Sequence, residues 1–119
     1  MTEQHLHHAI DYIEISMTDL KEAKRFYGEA FGWRFTDYGP EYVGIQGQER
    51  EMGGFCIGTP AEGAGVLVIL YSNALEASQS AVEAAGGQIT KAIFSFPGGR
   101  RFHFKDPSGN ELAVWQAAS

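Results

Sequence analysis

The chain has 119 residues, 44% apolar and 20% charged, with a formal net charge of −6. That suits one globular domain with its own core, and no apolar run approaches the ~18 residues of a membrane span. Nine Lys and Arg in so acidic a chain exclude a phosphate-tracking surface, so a small molecule or a second copy is expected as partner, not nucleic acid or membrane.

The opening MTEQHLHHAI lacks the apolar stretch of a secretory signal, and a single cysteine, Cys56, forms no internal disulfide; both favour the cytoplasm. His5, His7 and His8 crowd this end, where chains are usually mobile, and receive no function. From Ile10 to Met17 the apolar Ile13, Ile15 and Met17 alternate with Tyr12, Glu14 and Ser16, the period of a strand with two unlike faces. Asp19 and Glu22 read as a capping box. Leu20, Ala23, Phe26, Tyr27, Ala30 and Phe31 then recur at helical spacing until Gly32. WRFTDYG, EYVGIQG and MGGFCIG are three further strands.

The second half repeats this order. GVLVILYS is a strand, Asn73 and Glu76 form a second capping box, and Leu75, Ser78, Val82 and Ala85 share a helical face before Gly86-Gly87. A shift of 54 residues sets Asp19 on Asn73, Gly32 on Gly86 and FGWRFT on AGGQIT, which points to an internal duplication. QITKAIFSF, RRFHFK and NELAVWQ complete the second β-α-β-β-β unit, the last two joined by the turn Asp106-Pro107-Ser108-Gly109. Cys56 has no basic neighbour in sequence to activate it and reads as a small packed residue.

Two such modules, with FYGEAFGW after the first strand and FKDPSGNELAVWQ at the close, resemble the vicinal oxygen chelate superfamily of glyoxalase I, bleomycin-resistance proteins and extradiol dioxygenases. The resemblance covers nearly all of a single domain, residues 1–119, with module one at about 9–59 and module two at about 65–116. It implies an α+β fold: two tandem βαβββ modules forming a curled mixed sheet, a cup with helices outside and a ligand within. It also implies a homodimer.

In metal-using members the first and last strands of each module supply one ligand each. The position seven residues before the helix-opening residue is Tyr12 in module one and Val66 in module two. The position four residues after the turn glycine is Ala113, and aligning GQERE with DPSGN makes Gly54 its counterpart. Divalent transition ions take imidazole, carboxylate or thiolate donors. None of the four positions supplies one, so neither metal nor cofactor is expected.

Alternation places Tyr12, Glu14 and Ser16, and likewise Glu111, Ala113 and Trp115, toward the cup. With Phe102 and Phe104 in the core, Arg101, His103 and Lys105 turn to the cup or its rim, and Lys105 can pair with Glu111 across the strands. Glu14 is either a general base or a partner in a structural pair. Trp115 and Tyr12 are packing, or a stacking surface for a planar ligand. Three readings stay open. The first is a glyoxalase/bleomycin-resistance-like protein binding a small aromatic or apolar molecule in a metal-free cup, through Tyr12, Glu14, Ser16, Arg101, His103, Ala113 and Trp115. The second is a lyase, isomerase or dioxygenase-type enzyme using Glu14 and His103, or a metal at atypical positions. The third is an interaction subunit whose cup is filled by its own side chains.

Overall fold

The computed structural model describes residues 5, 7, 10–60 and 66–118; His8 and the expected module starts, residues 9 and 65, lie outside them. The elements run β1 (Ile13–Met17), α1 (Leu20–Phe31), β2 (Phe35–Asp37), β3 (Tyr42–Gln46), β4 (Glu51–Ile57), β5 (Val68–Tyr71), α2 (Leu75–Ala84), β6 (Gln88–Phe96), β7 (Gly99–Lys105) and β8 (Glu111–Ala117). Two four-stranded sheets result, ordered β1-β4-β3-β2 and β5-β8-β7-β6. In each, the first strand lies parallel to the last and the remaining pairs are antiparallel. This is the expected α+β fold of two repeated units.

Period-two patterning sets the faces. Met17 is buried and Ile15 packs on the core, while Tyr12, Glu14 and Ser16 take the other side of β1. α1 begins as expected: Asp19 Oδ1 accepts from the Glu22 amide at 3.0 Å. It ends at Gly32, whose φ of 73° is a left-handed conformation that costs glycine nothing. The α1 face carrying Leu20, Ala23, Phe26 and Tyr27 is buried.

The start of α2 corrects the sequence reading. The cap residue is Ala74, which has no capping side chain, and neither Asn73 nor Glu76 takes that part. Instead Gln116, reaching from β8, accepts from the Leu75 amide (3.1 Å) and donates to the Asn73 carbonyl (2.9 Å), while Ser72 Oγ accepts from the Ala74 amide (2.9 Å). Glu76 pairs with Arg100. A long side chain from another strand satisfies the helix end, so no local cap is needed.

One core serves both sheets. Phe26 and Phe31 of α1 lie 6.0 and 5.8 Å from Phe104 of the second sheet, while Tyr27 meets Phe55 of the first at 5.4 Å. The two sheets therefore turn their helix-covered faces toward a shared interior and their other faces away from it. The turn 106–109, closed by Gly109 with φ at 97°, clasps the halves together. Asn110 Nδ2 donates to the Ser16 carbonyl at 2.8 Å, and Ser108 Oγ accepts from the Thr18 amide at 3.0 Å. No helix among the described residues is long and apolar enough to cross a membrane.

Candidate functional site

The expected site residues divide between the two outward faces. Tyr12, Glu14 and Ser16 sit on the first sheet; Arg101, His103, Ala113 and Trp115 sit on the second. A depression of about 220 Å³ at the free edge of β1 brings Glu14 and Ser16 of the first sheet near Glu111 of the second.

On the first face, pairing sets Gly44 opposite Gly54 and Tyr42 opposite Cys56. The two glycines leave a trough that larger side chains fill: a Cβ at Gly54 would fall on the Tyr42 hydroxyl, and one at Gly44 on the Glu51 carboxylate. A β-bulge at the start of β4 puts Glu51 opposite Gln46 and so onto this outward face. Glu51 then accepts from Tyr38 (2.6 Å) and from Tyr12 (2.9 Å), and the Tyr12 and Tyr42 hydroxyls lie 2.7 Å apart. Beyond burial, the Glu14 carboxylate is close enough to Tyr42 to raise its hydroxyl. Glu14 thus belongs to a chain of two carboxylates and three phenols. Burial, then the bonds to Tyr42 and Glu51, pushes the Tyr12 hydroxyl far above its usual range. Burial first raises Tyr42 as well, and the bond to Glu51 raises Tyr38. These are neutral phenols locked in a network. Cys56 is half-buried on the same face, its sulfur 3.9 Å from Ser16 Oγ and from the Ile15 carbonyl.

On the second face, Phe102 and Phe104 enter the core and Arg101, His103 and Lys105 point outward, the register read from the sequence. Lys105 stands directly opposite Glu111, but the expected pair between them does not form. Glu111 turns to His103, with Oε2 at 3.1 Å from Nδ1, because the methyl of Ala113 opposite His103 leaves the imidazole within reach. His103 is buried, and its Nε2 has no hydrogen-bond partner. The Arg101 guanidinium lies over Phe94 at 5.3 Å and Phe96 at 5.4 Å, and its Nε is also unpartnered. Trp115 meets Tyr71 edge-on at 5.1 Å and Phe96 at 6.2 Å. Ile69, Phe96, Arg101 and Trp115 line a depression of about 250 Å³.

Sequence reasoning missed Tyr38, Tyr42 and Glu51 on one face and Ile69, Phe94 and Phe96 on the other. Alternation along EYVGIQG and QITKAIFSF points to Tyr42, Phe94 and Phe96; nothing in the sequence announces the bulge that turns Glu51.

A family model described as the Glyoxalase/Bleomycin resistance protein/Dioxygenase superfamily matches residues 9–114. The chain belongs to this superfamily. A search of curated proteins finds no match. Among solved structures of the superfamily fold, a glyoxalase-related enzyme from Fulvimarina pelagi is 23% identical with a TM-score of 0.77, covering 92% of this chain and 88% of that one. A glyoxalase/bleomycin resistance protein/dioxygenase family enzyme from Burkholderia phytofirmans PsJN is 18% identical, TM-score 0.78, covering 92% and 98%. TnmS3, an antibiotic binding protein from Streptomyces sp. CB03234, is 19% identical, TM-score 0.70, covering 96% and 100%. At these identities the likeness is one of fold.

The metal implied by some superfamily members does not fit these residues. Tyr12 is held protonated by burial and by its bonds to Tyr42 and Glu51, the space beside Gly54 is taken by Tyr42, and Ala113 ends in a methyl. Val66 precedes β5 and has the parity of the core-facing Val68; Leu67 shares that of Ile69 and Tyr71, and both residues are alkyl. Among the described residues no three His, Cys, Asp or Glu side chains gather as a ligand set.

Proposed function

We propose that the protein binds a small planar aromatic molecule, without a metal, on the outward face of the second sheet. The observation carrying this reading is the depression between Trp115, Phe96, Ile69 and Arg101, beside the methyl of Ala113 where metal-using relatives place a carboxylate. Its walls are ring faces and edges that a flat molecule can stack on, and burial supplies the affinity. The reading agrees with what one fold relative, TnmS3, is said to be: an antibiotic binding protein.

The reading includes a homodimer. β1 and β5 are edge strands, each with no strand on its outer side among the described residues, and their Ile13, Ile69 and Tyr71 are 38%, 45% and 54% exposed. On its outward face the first sheet carries Glu14 and Glu51 and no Lys or Arg, and the second carries Lys91, Arg101 and Lys105 against Glu111; Asp37 and Arg100 turn to the helix side, paired with Lys24 and Glu76. A second copy can lay its acidic face over the basic face of the first, which a single chain, with its faces turned apart, cannot do for itself. Each cup is then shared.

A lyase or isomerase acting through His103 is the second reading, favoured by the Glu111 contact that orients the ring. Three variants separate the two. For a hit from a ligand screen, Trp115→Ala weakens a stacked ligand by roughly 1–3 kcal/mol while Glu14→Gln changes little. Should turnover of any screened compound be found, with Trp115→Ala raising only KM and His103→Gln abolishing the rate, the enzyme reading replaces the binder.

A further inference from the structure

We infer that the ligand of the second face carries a negative charge, and that Arg101 is the residue that selects it. This inference rests on the aromatic-binding reading above and adds the ligand's chemical class: a planar aromatic anion such as an aryl carboxylate.

Most of the other guanidinium groups find counter-charges within the chain. Arg25 pairs with Glu22 and Glu29, Arg50 with Asp11, and Arg100 with Glu76, while Arg34, with no ion pair among the described residues, is exposed to water. Arg101 is half-buried, yet no carboxylate faces it among the described residues. Its cation rests between the faces of Phe94 and Phe96, and its Nε has neither water access nor a protein acceptor. A buried guanidinium N–H without an acceptor is costly, and ring faces return only part of that cost. In a chain of net charge −6 the lack of a partner is local and specific.

The surrounding charges agree. Lys91 stands opposite His103 on β6, Lys105 is two residues further along β7, and both are exposed cations at the rim of this face. The one carboxylate on the strands of this sheet, Glu111, is engaged by His103 at 3.1 Å and by Thr90 at 3.4 Å. The guanidinium also lines the 250 Å³ depression, beside Trp115. A flat molecule stacked on Trp115 would set a ring substituent toward the fork of Arg101, whose paired N–H donors match the two oxygens of a carboxylate. The aromatic walls hold the ring, and the cation chooses the substituent.

The test compares two probes that share one ring system, the anion 2-naphthoate and the neutral 2-naphthalenemethanol, by titration calorimetry on the wild-type chain. The anion is expected to bind at least about tenfold more tightly, with the preference shrinking as salt is raised. In Arg101→Met the preference disappears while naphthalenemethanol binds within about twofold of wild type, and Arg101→Lys keeps part of it. Lys21→Gln, an exposed cation on α1, serves as the control and leaves the preference intact. Equal affinity of the two probes, with both lost in Trp115→Ala, would overturn the anion inference and leave the aromatic reading standing. Binding of neither probe at millimolar concentration overturns both. A third outcome also overturns it: Arg101→Met dissociates a dimer without altering the preference, which assigns the counter-charge to a carboxylate of the second copy. The wild-type comparison stands even if the Arg101 variants fold poorly.

Discussion

Tyr27, midway along α1, donates its hydroxyl to Asp106 Oδ2 at 3.0 Å and so ties the helix of the first module to the closing turn of the second. Asp106 is 5% exposed and also accepts from the Ser108 and Asn110 amides and from Asn110 Nδ2. Tyr27→Phe keeps the ring stacked on Trp33 and removes one donor from a buried carboxylate. A loss of about 1.5–3 kcal/mol is expected in chemical denaturation. Burial, then the Asp106 charge, raises the Tyr27 hydroxyl well above its usual range. The folded chain therefore keeps a proton that the unfolded chain releases near pH ~10, and this stabilisation is complete below that pH. Above it, the difference in stability between wild type and Tyr27→Phe should shrink by about 1.4 kcal/mol per pH unit.

Gly53 and Gly54 are neighbours with opposite needs. A Cβ on Gly53 would strike the Ile13 carbonyl of the parallel ladder, which backbone pairing holds in place; one on Gly54 meets only the movable end of Tyr42. Gly53→Ala should cost on the order of 3 kcal/mol in thermal or chemical unfolding and Gly54→Ala distinctly less. The reverse order would contradict the face assignment of β4.

Glu51 is the acceptor that gathers Tyr12 and Tyr38. Its bond is the largest cause of the raised Tyr38 value, so Glu51→Gln should bring Tyr38 down toward the usual ~10. Phenolate absorbance followed through an alkaline titration reads this directly. An unchanged curve would place Tyr38 elsewhere.

Sedimentation at micromolar concentration should show a two-chain species. Ile69→Lys, on the edge strand β5, should shift it toward the single chain, since a buried lysine at a shared edge is strongly unfavourable.

Dialysed, untagged protein is expected to hold no stoichiometric transition ion, and added zinc, nickel or manganese should leave its melting temperature unchanged. One tightly held ion per chain, removable only by a chelator, would contradict the reading of Tyr12, Gly54 and Ala113.

Period-two alternation made the faces of β1, β7 and β8 legible, because each buried side is filled by large apolar residues such as Met17, Phe102, Phe104, Leu112 and Val114. The cap at Asp19 was legible because its acceptor and donor lie three residues apart. The cap of α2 was not, because Gln116 lies 41 residues from Leu75 and nothing in either segment points to the other. Glu51 was hidden by a bulge, and the Glu111 contact depends on which of two reachable partners, Lys105 or His103, has room beside it. Sequence gave the parity of the site residues; tertiary packing decided their partners.

The clasp at 106–110 also bears on the order of assembly. Each module's β-ladders and helix draw on its own half of the chain, whereas the bonds from Thr18 to Ser108 and from Ser16 to Asn110 span 90 and 94 residues. Closing so long a loop carries an entropy cost that is recovered only once both modules stand ready. Docking of the two halves is therefore a late event, and the clasp acts chiefly as a brake on unfolding, with little influence on how fast either module first forms.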